Sequence, residues 1–301
     1  MPLWIPITIA AAFLQNMRST LQKQLSGAMS AYGATYVRFS FGLPVAAVYL
    51  ACVLWAEGAA LPSPNATMLT YAVVGGVAQI AATVLLVALF AYRNFAVGTA
   101  YSKTETVQTA IFGIVVLGDQ LTLGAVLAIL VSLVGVLMIS MAKSELPLRR
   151  FWRSLGEKPA LMGITSGALF GISAVSYRAG ALSLGLEGFV LPAAFMLFVV
   201  LIVQTASMTI WLWIYRRNDL MAAFRLWPQS ATVGLVGALG SMGWFSAMTL
   251  QNAAYVRALG QIELVFTFIT SHLVFREKTS RLEFLGIALV IGGLLLLVLG
   301  H

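Results

Sequence analysis

Apolar runs of about twenty residues follow one another along the whole chain, each long enough to cross a bilayer as a helix. Ten are predicted, over approximately 3–24, 31–56, 68–91, 95–117, 121–142, 160–183, 188–214, 228–250, 253–275 and 281–300. Between the second and third, Leu61-Pro62-Ser63-Pro64-Asn65 is a loop, because two prolines in four residues resist helix continuation. The most polar connection, 143–158, falls at the midpoint. The pattern shows no soluble domain and no low-complexity tract. It predicts an all-α membrane protein with ten transmembrane helices.

The two halves repeat. Thr104-Glu105-Thr106-Val107 runs on through an apolar helix to Leu117-Gly118-Asp119-Gln120, and Ile262-Glu263-Leu264-Val265 runs on to Phe275-Arg276-Glu277-Lys278. The separations 263 − 105 and 277 − 119 are both 158, and Asn94 with Asn252, Gly76 with Gly234 and Gly135 with Gly293 match at the same offset. A period of half the chain is too long for a solenoid. Two copies of one hydrophobic unit suit a secondary transporter, with its site between the copies. The division expected is a first five-helix repeat over 1–142, a connecting loop over 143–159 and a second five-helix repeat over 160–301.

Composition agrees with the bilayer. Charged residues make up 9% of the chain and hydrophobic ones 60%, with a mean hydropathy of +0.93; a soluble chain carries roughly a quarter charged residues. The single cysteine, Cys52, excludes an internal disulfide and a cysteine metal cluster, and a buried position as a small hydrophobe is expected for it. The net charge of +8 sits in short loops between apolar runs, which points to membrane orientation and away from nucleic acid. Loops after the odd-numbered helices hold thirteen Lys and Arg, from Lys23 to Arg281, and loops after the even-numbered ones hold Arg178 alone. The positive-inside rule then places the odd loops and the central loop in the cytoplasm and both termini outside, and it makes the halves inverted. No cleavable signal is expected at the start, which lacks a basic n-region.

Five ionisable residues fall well inside predicted spans: Arg38, Lys103, Glu105, Arg257 and Glu263. Each needs a partner or a water-filled cavity, since an intramembrane charge costs at least ~2.5 kcal/mol on insertion scales. Arg18 is close enough to a helix end to snorkel. Two readings are open for the deep charges: all form structural ion pairs, or at least one faces the transport route. Lys103 corresponds to Gln261 in the repeat and projects to the side of its helix away from Glu105. Helical spacing puts Gly98, Tyr101, Thr109 and Phe112 in the Glu105 stripe, and Val256, Leu259, Gly260, Phe266 and Thr270 in the Glu263 stripe. Gln79 and Trp244 are further candidates, the first because a mid-span amide must find a partner, the second because it lies too deep for an interfacial belt. The substrate or transport residues expected are Glu105, Tyr101, Gln79, Trp244, Lys103, Glu263 and Arg257. Gly163, Gly167 and Gly171, and Gly234 with Ala238, let helices approach closely. No phosphate-binding Gly-Lys-Ser/Thr motif exists, and His272 and His301 have no acidic cluster beside them. No cofactor, metal or catalytic site is expected.

The repeated pattern of an acidic residue and Val, a dozen mostly apolar residues, then Leu-Gly-acidic resembles the EamA family of the drug/metabolite transporter superfamily. Here the copies read Glu105-Thr106-Val107 with Leu117-Gly118-Asp119, and Glu263-Leu264-Val265 with Phe275-Arg276-Glu277; the closing helices hold Gly135 and Gly292-Gly293. Both copies lack the family's proline after the acidic residue, and one has Asp where Glu is usual. The resemblance implies a ten-helix carrier with two inverted five-helix repeats, a cavity lined by helices three, four, eight and nine, and alternating access coupled to protons or a counter-substrate. Small amphipathic metabolites are the leading cargo, with export of amino acids or related compounds first, because charges of both signs at depth suit a zwitterion. The alternatives are proton-coupled efflux of organic cations and, in another class, a membrane-embedded enzyme or a scaffold without transport. An integral protein of a bacterial inner membrane, plausibly monomeric, is expected.

Overall fold

The computed structural model describes residues 2–25, 27–89, 92, 95–144, 154–273 and 280–299, among which all regular structure is helical. In chain order the helices are α1 (Trp4–Leu25), α2 (Ala31–Ser40), α3 (Gly42–Glu57), α4 (Ala66–Leu89), α5 (Phe95–Ser102), α6 (Glu105–Leu117), α7 (Leu123–Ser144), α8 (Lys158–Leu182), α9 (Val190–Tyr215), α10 (Arg217–Arg225), α11 (Trp227–Leu250), α12 (Ala253–Leu259), α13 (Ile262–Leu273) and α14 (Arg281–Leu299). Most of the central connection, with Arg149, Arg150 and Arg153, lies outside the described residues, as do Asn94, Phe275-Arg276-Glu277 and His301; the side chain of His272 does too.

Among the described residues seven helical segments are long and apolar enough to span a bilayer: α2 with α3, α4, α7, α8, α9, α11 and α14. The ten continuous spans expected from the pattern are not reproduced, for local reasons. The second half of α1 is polar, with Arg18, Lys23 and four amide side chains over 15–24. The second span breaks at Phe41 into α2 and α3, because the ring of Pro44 crowds the carbonyl of Ser40 and offers no N–H to it. The fourth and ninth spans each break near the middle into two short helices, α5 and α6, and α12 and α13. Helix α10 falls where a loop was expected; it buries Leu220 and Ala223 and exposes Met221 and Phe224. Cys52, expected inside, is exposed; the outer face of a membrane helix is itself apolar, so a small hydrophobe gains little from burial there.

The chain folds into two compact units, each drawing on both halves of the sequence: residues 1–80 with 173–252, and residues 81–172 with 253–301. In the first unit α1 packs along α11, and α9 packs on α3 and α2. Gly234 of α11 meets the Phe41 backbone at the α2–α3 break, where a Cβ would come within 2.5 Å, while Gly76 of α4 faces Val200, Val203 and Gln204 of α9. Arg178, the lone basic residue of the even connections, lies inside α8 and donates to the carbonyls of Met248 and Gln251 at 2.7 Å and to Asn252 Oδ1 at 3.2 Å. It thus satisfies the C-terminal end of α11, where carbonyls lack helical donors and a cation is favoured.

In the second unit α7 and α14 pair closely. A Cβ on Gly135 would lie 2.6 Å from Gly286 O and 2.8 Å from Val290 N, and one on Gly293 would strike Ser132 and lie 2.8 Å from Ala128 O. Since 286 − 128 and 290 − 132 are again 158, the contact is self-complementary, as between copies related by a two-fold axis. The glycine stripe of α8 lies against the broken fourth span: Gly163 on Gly98, Gly167 on the Ser102 carbonyl and the Glu105 amide, Gly171 on Thr109.

Gly293→Ala is expected to lower stability by about 1–3 kcal/mol, because the methyl group meets backbone that cannot move aside. Gly292→Ala, one residue earlier and facing open space, should stay within about 0.5 kcal/mol of the parent. Thermal unfolding of both variants in detergent distinguishes them.

Candidate functional site

The break in the fourth span lies at Lys103-Thr104 and that in the ninth at Gly260-Gln261. In both the chain tightens to i→i−3 bonding without leaving the helical path: Lys103 N donates to Ala100 O and Thr104 N to Tyr101 O, at 3.1 and 3.2 Å, while Gln261 N donates to Ala258 O and Glu263 N to Gly260 O, each at 3.1 Å. A short 3₁₀ stretch inside a helix is a frequent mark of a functional hinge. After each break the new helix carries a glutamate in its first turn, Glu105 in α6 and Glu263 in α13, where unsatisfied amides and the helix dipole favour an anion. Four residues on, Thr109 donates to the Glu105 carbonyl at 2.7 Å and Thr267 to the Glu263 carbonyl at 2.9 Å. The repeat therefore extends from residue identity to individual hydrogen bonds.

The four deep charges of this unit pair crosswise. Lys103 Nζ donates to Glu263 Oε1, and Arg257 Nε lies 3.1 Å from Glu105 Oε1. All four side chains are at most about a quarter exposed. Glu263 finds its basic partner on another helix, as the spacing of Arg257 on its own helix requires. Gln261, the repeat counterpart of Lys103, donates instead to Thr106 Oγ1 at 2.7 Å. Tyr101 sits in a buried cluster with Ala100 and Ala160, under Leu137, Met141 and Ile164. Gly98, Thr109 and Phe112, on either side of the break, all lie against the glycines of α8, and Tyr101 packs beside Ala160 and Ile164 of the same helix, so this part of the stripe drawn from the sequence is in packing contact with α8.

The other two candidates belong to the first unit. Gln79 lies in a buried polar network in which Gln204 Nε2 donates to Gln79 Oε1 at 2.9 Å and to Gly76 O at 3.2 Å, and Tyr177 Oη donates to Gly75 O at 2.9 Å. Tyr177 also stacks on Phe245, with ring centroids 4.4 Å apart. Trp244 is buried and lines a small cleft with Gln15, Arg18, Arg38, Val236, Gly237, Gly240 and Ser241. Arg18, expected to snorkel, is buried there instead, its stem held against Gly237. Sequence reasoning missed Tyr177 and Gln204. The second was accessible by the argument used for Gln79, a mid-span amide; the first carried no signal, since a tyrosine among apolar residues reads as core.

Lys103→Met is expected to destabilise the protein by about 3–5 kcal/mol by stranding Glu263, and adding Glu263→Met should recover most of that loss. The double-variant comparison, by thermal unfolding, separates a stabilising pair from two independent contacts.

Comparison with known proteins follows this geometry. The model of the EamA-like transporter family matches residues 2–141 and again residues 158–299. A search of curated proteins finds no match. A solved structure described only as "Crystal structure of protein" superposes with a TM-score of 0.73 at 13% identity, covering 98% of this chain and 96% of its own; at that identity the likeness speaks for the fold alone. With two family matches that together span nearly its whole length, the chain belongs to the EamA-like transporter family, as an integral membrane protein.

Proposed function

We propose that this chain is a secondary carrier that exports small amphipathic metabolites, amino acids or related compounds first among them, by alternating access. Ten spans arranged as two inverted five-helix repeats, 1–142 and 160–301, belong to the same reading. The family supplies the transporter class and argues against an enzyme. The observation that carries the rest is the pair of tight turns at 103–104 and 260–261, each followed by a glutamate at the start of a half-helix. Interrupted helices with charged groups at their inner ends are how carriers of this kind bind polar solutes within the bilayer. Crosswise pairing across the two breaks gives a set of charges that rearranges as a whole when a zwitterion competes for it. Glu105 takes the ammonium end in this reading, Lys103, Tyr101 and Arg257 set its surroundings, and Glu263 holds the bundle through Lys103. Gln79 and Trp244 serve as polar and aromatic contacts. Efflux of a pure cation is less well served, since it requires a carboxylate to release its basic partner before the cargo binds. The same reading couples transport to protons or a counter-substrate and places the protein in a bacterial inner membrane, where a monomer suffices for it.

Glu105→Gln strands Arg257 and should lower thermal stability, yet the isosteric amide should let the protein insert and fold; the folded fraction should lose transport of every solute the parent carries, in proteoliposomes tested with a panel of amino acids, organic cations and nucleotides at acidic and neutral pH. Wild-type rates in that variant would remove Glu105 from the site. For orientation, in a Cys52→Ser background, a cysteine at position 301 should react with an impermeant reagent added to intact cells and one at position 150 should not; the reverse pattern would invert the topology.

A further inference from the structure

Helix α10 joins two neighbouring spans, α9 and α11, at one end of the first unit. Asp219 in its first turn and Arg225 in its last agree with the helix dipole, and Pro228 opens α11 directly after it. Leu220 and Ala223 are buried where α10 packs on α2, α9 and α11. At roughly 100° per residue the apolar sector runs on from that buried side through Phe224 to Met221, and these two are 55% and 63% exposed. Exposed Trp213 and Tyr215 in the last turn of α9, and exposed Trp227 at the start of α11, flank the helix. Tryptophan and tyrosine gather where a bilayer meets water, so α10 sits at the level of that boundary.

Exposed charge in this unit is sorted by end. Among its described residues the exposed basic side chains are Lys23, Arg216, Arg217 and Arg225. The α1–α2 connection, which follows Lys23, is tied to α10: Ser30 donates to Asp219 through N at 3.0 Å and through Oγ at 2.6 Å. The exposed acidic side chains are Glu57, at the end of α3, and Glu187, just before α9, each a whole span away. Where α9 meets α10 an open cleft of about 400 Å³ is lined by Ile214, Tyr215, Arg216, Arg217, Asn218 and Asp219. Arg217 is held at its rim, with Nε donating to Trp213 O at 2.9 Å and Cζ 4.5 Å from the Trp213 ring centroid. The one carboxylate on the cleft wall, Asp219, is engaged by Ser30.

We propose that α10 and the adjoining ends of α9 and α11 form a docking surface for anionic phospholipid. The helix lies in the plane of the bilayer surface, with Phe224 and Met221 among the acyl chains and a headgroup phosphate in the cleft against Arg216 and Arg217. Arg225 and Lys23 add to the positive field at the same end. An amphipathic helix at an interface binds through its apolar area and through attraction to negative headgroups together. Guanidinium forks match phosphate oxygens with short charge-assisted bonds. A zwitterionic headgroup carries its own cation, which these basic side chains repel. The positive-inside orientation makes this the cytoplasmic leaflet; the lipid contact itself needs neither that orientation nor the carrier reading.

The test uses the full chain in a non-ionic detergent, titrated with phosphatidylglycerol, phosphatidylcholine or soluble glycerol phosphate, with retained lipid counted by native mass spectrometry. Phosphatidylglycerol should be retained in preference to phosphatidylcholine, and glycerol phosphate should not compete for its place. Arg217→Gln and Arg225→Gln should each weaken phosphatidylglycerol binding about fivefold. Glu57→Gln, which raises the net charge by the same amount at the other end of the unit, should leave that binding unchanged. Equal retention of the two lipids, displacement by glycerol phosphate, or a gain in Glu57→Gln as large as the arginine losses would overturn the assignment. A second readout needs no charge variant: in a Cys52→Ser background, a polarity-sensitive fluorophore on Met221→Cys in liposomes should be quenched by lipids brominated near the headgroup end of their chains. A label that reports bulk water and escapes that quenching would refute the in-plane helix. Flux in the same liposomes keeps the ideas apart, since lipid binding without transport sinks the carrier reading alone, and transport without lipid preference sinks this surface alone.

Discussion

Close approach of backbones at glycine is the constraint on which this structure rests. Lipid tails are as apolar as leucine, so helices in a bilayer associate through van der Waals contact and interhelical hydrogen bonds, not by excluding water. Glycine makes the contact area available. Gly135, Gly286 and Gly293 bring α7 and α14 to backbone contact, and Gly163, Gly167 and Gly171 lay α8 along α5 and α6. Gly234 does the same against the α2–α3 break. Gly167 touches the Ser102 carbonyl and the Glu105 amide, so the turn that interrupts the fourth span is held by a neighbour from outside as well as by its own bonds.

Charge is then placed on that frame, in the second unit, as opposed pairs. Around the breaks at 103–104 and 260–261 two cations and two carboxylates pair crosswise and sum to zero. A charge removed from water at such depth is costly alone, so removal of one partner is far worse than removal of both. Beside Gly237 the stems of Arg18 and Arg38 are buried against α11.

The duplicated pattern also explains which residues take structural work. Gly118 has a φ of +67° at the end of α6, and the amides of Gly118 and Asp119 donate to Ile114 O and Gly113 O at 3.1 and 3.2 Å. The Leu-Gly-acidic signature is thus a helix stop that needs a left-handed residue, which glycine adopts without strain. Arg178 closes the end of α11 in the same sense, with a side chain in place of a turn.

The sequence by itself determined the membrane class, the all-helical build, the duplication and the depth of the charged residues. Each follows from local composition or from spacing along one chain: an apolar run must be a helix in lipid, and an offset of 158 needs no third dimension to be seen. The breaks at Phe41, Lys103 and Gly260 were legible only in part, at Pro44. The turn at Lys103-Thr104 lies beside Gly167 of α8, a contact that no window of the fourth span records. Partner choice belongs wholly to the tertiary structure. Glu105 and Glu263 occupy the same place in their repeats, yet one meets Arg257 and the other Lys103, because pairing depends on which helices lie alongside. Arg18 looked free to reach an interface from its place near a helix end, and packing of α1 on α11 buried it against Gly237. A linear pattern fixes how deep a side chain lies; only the packed helices decide what it faces.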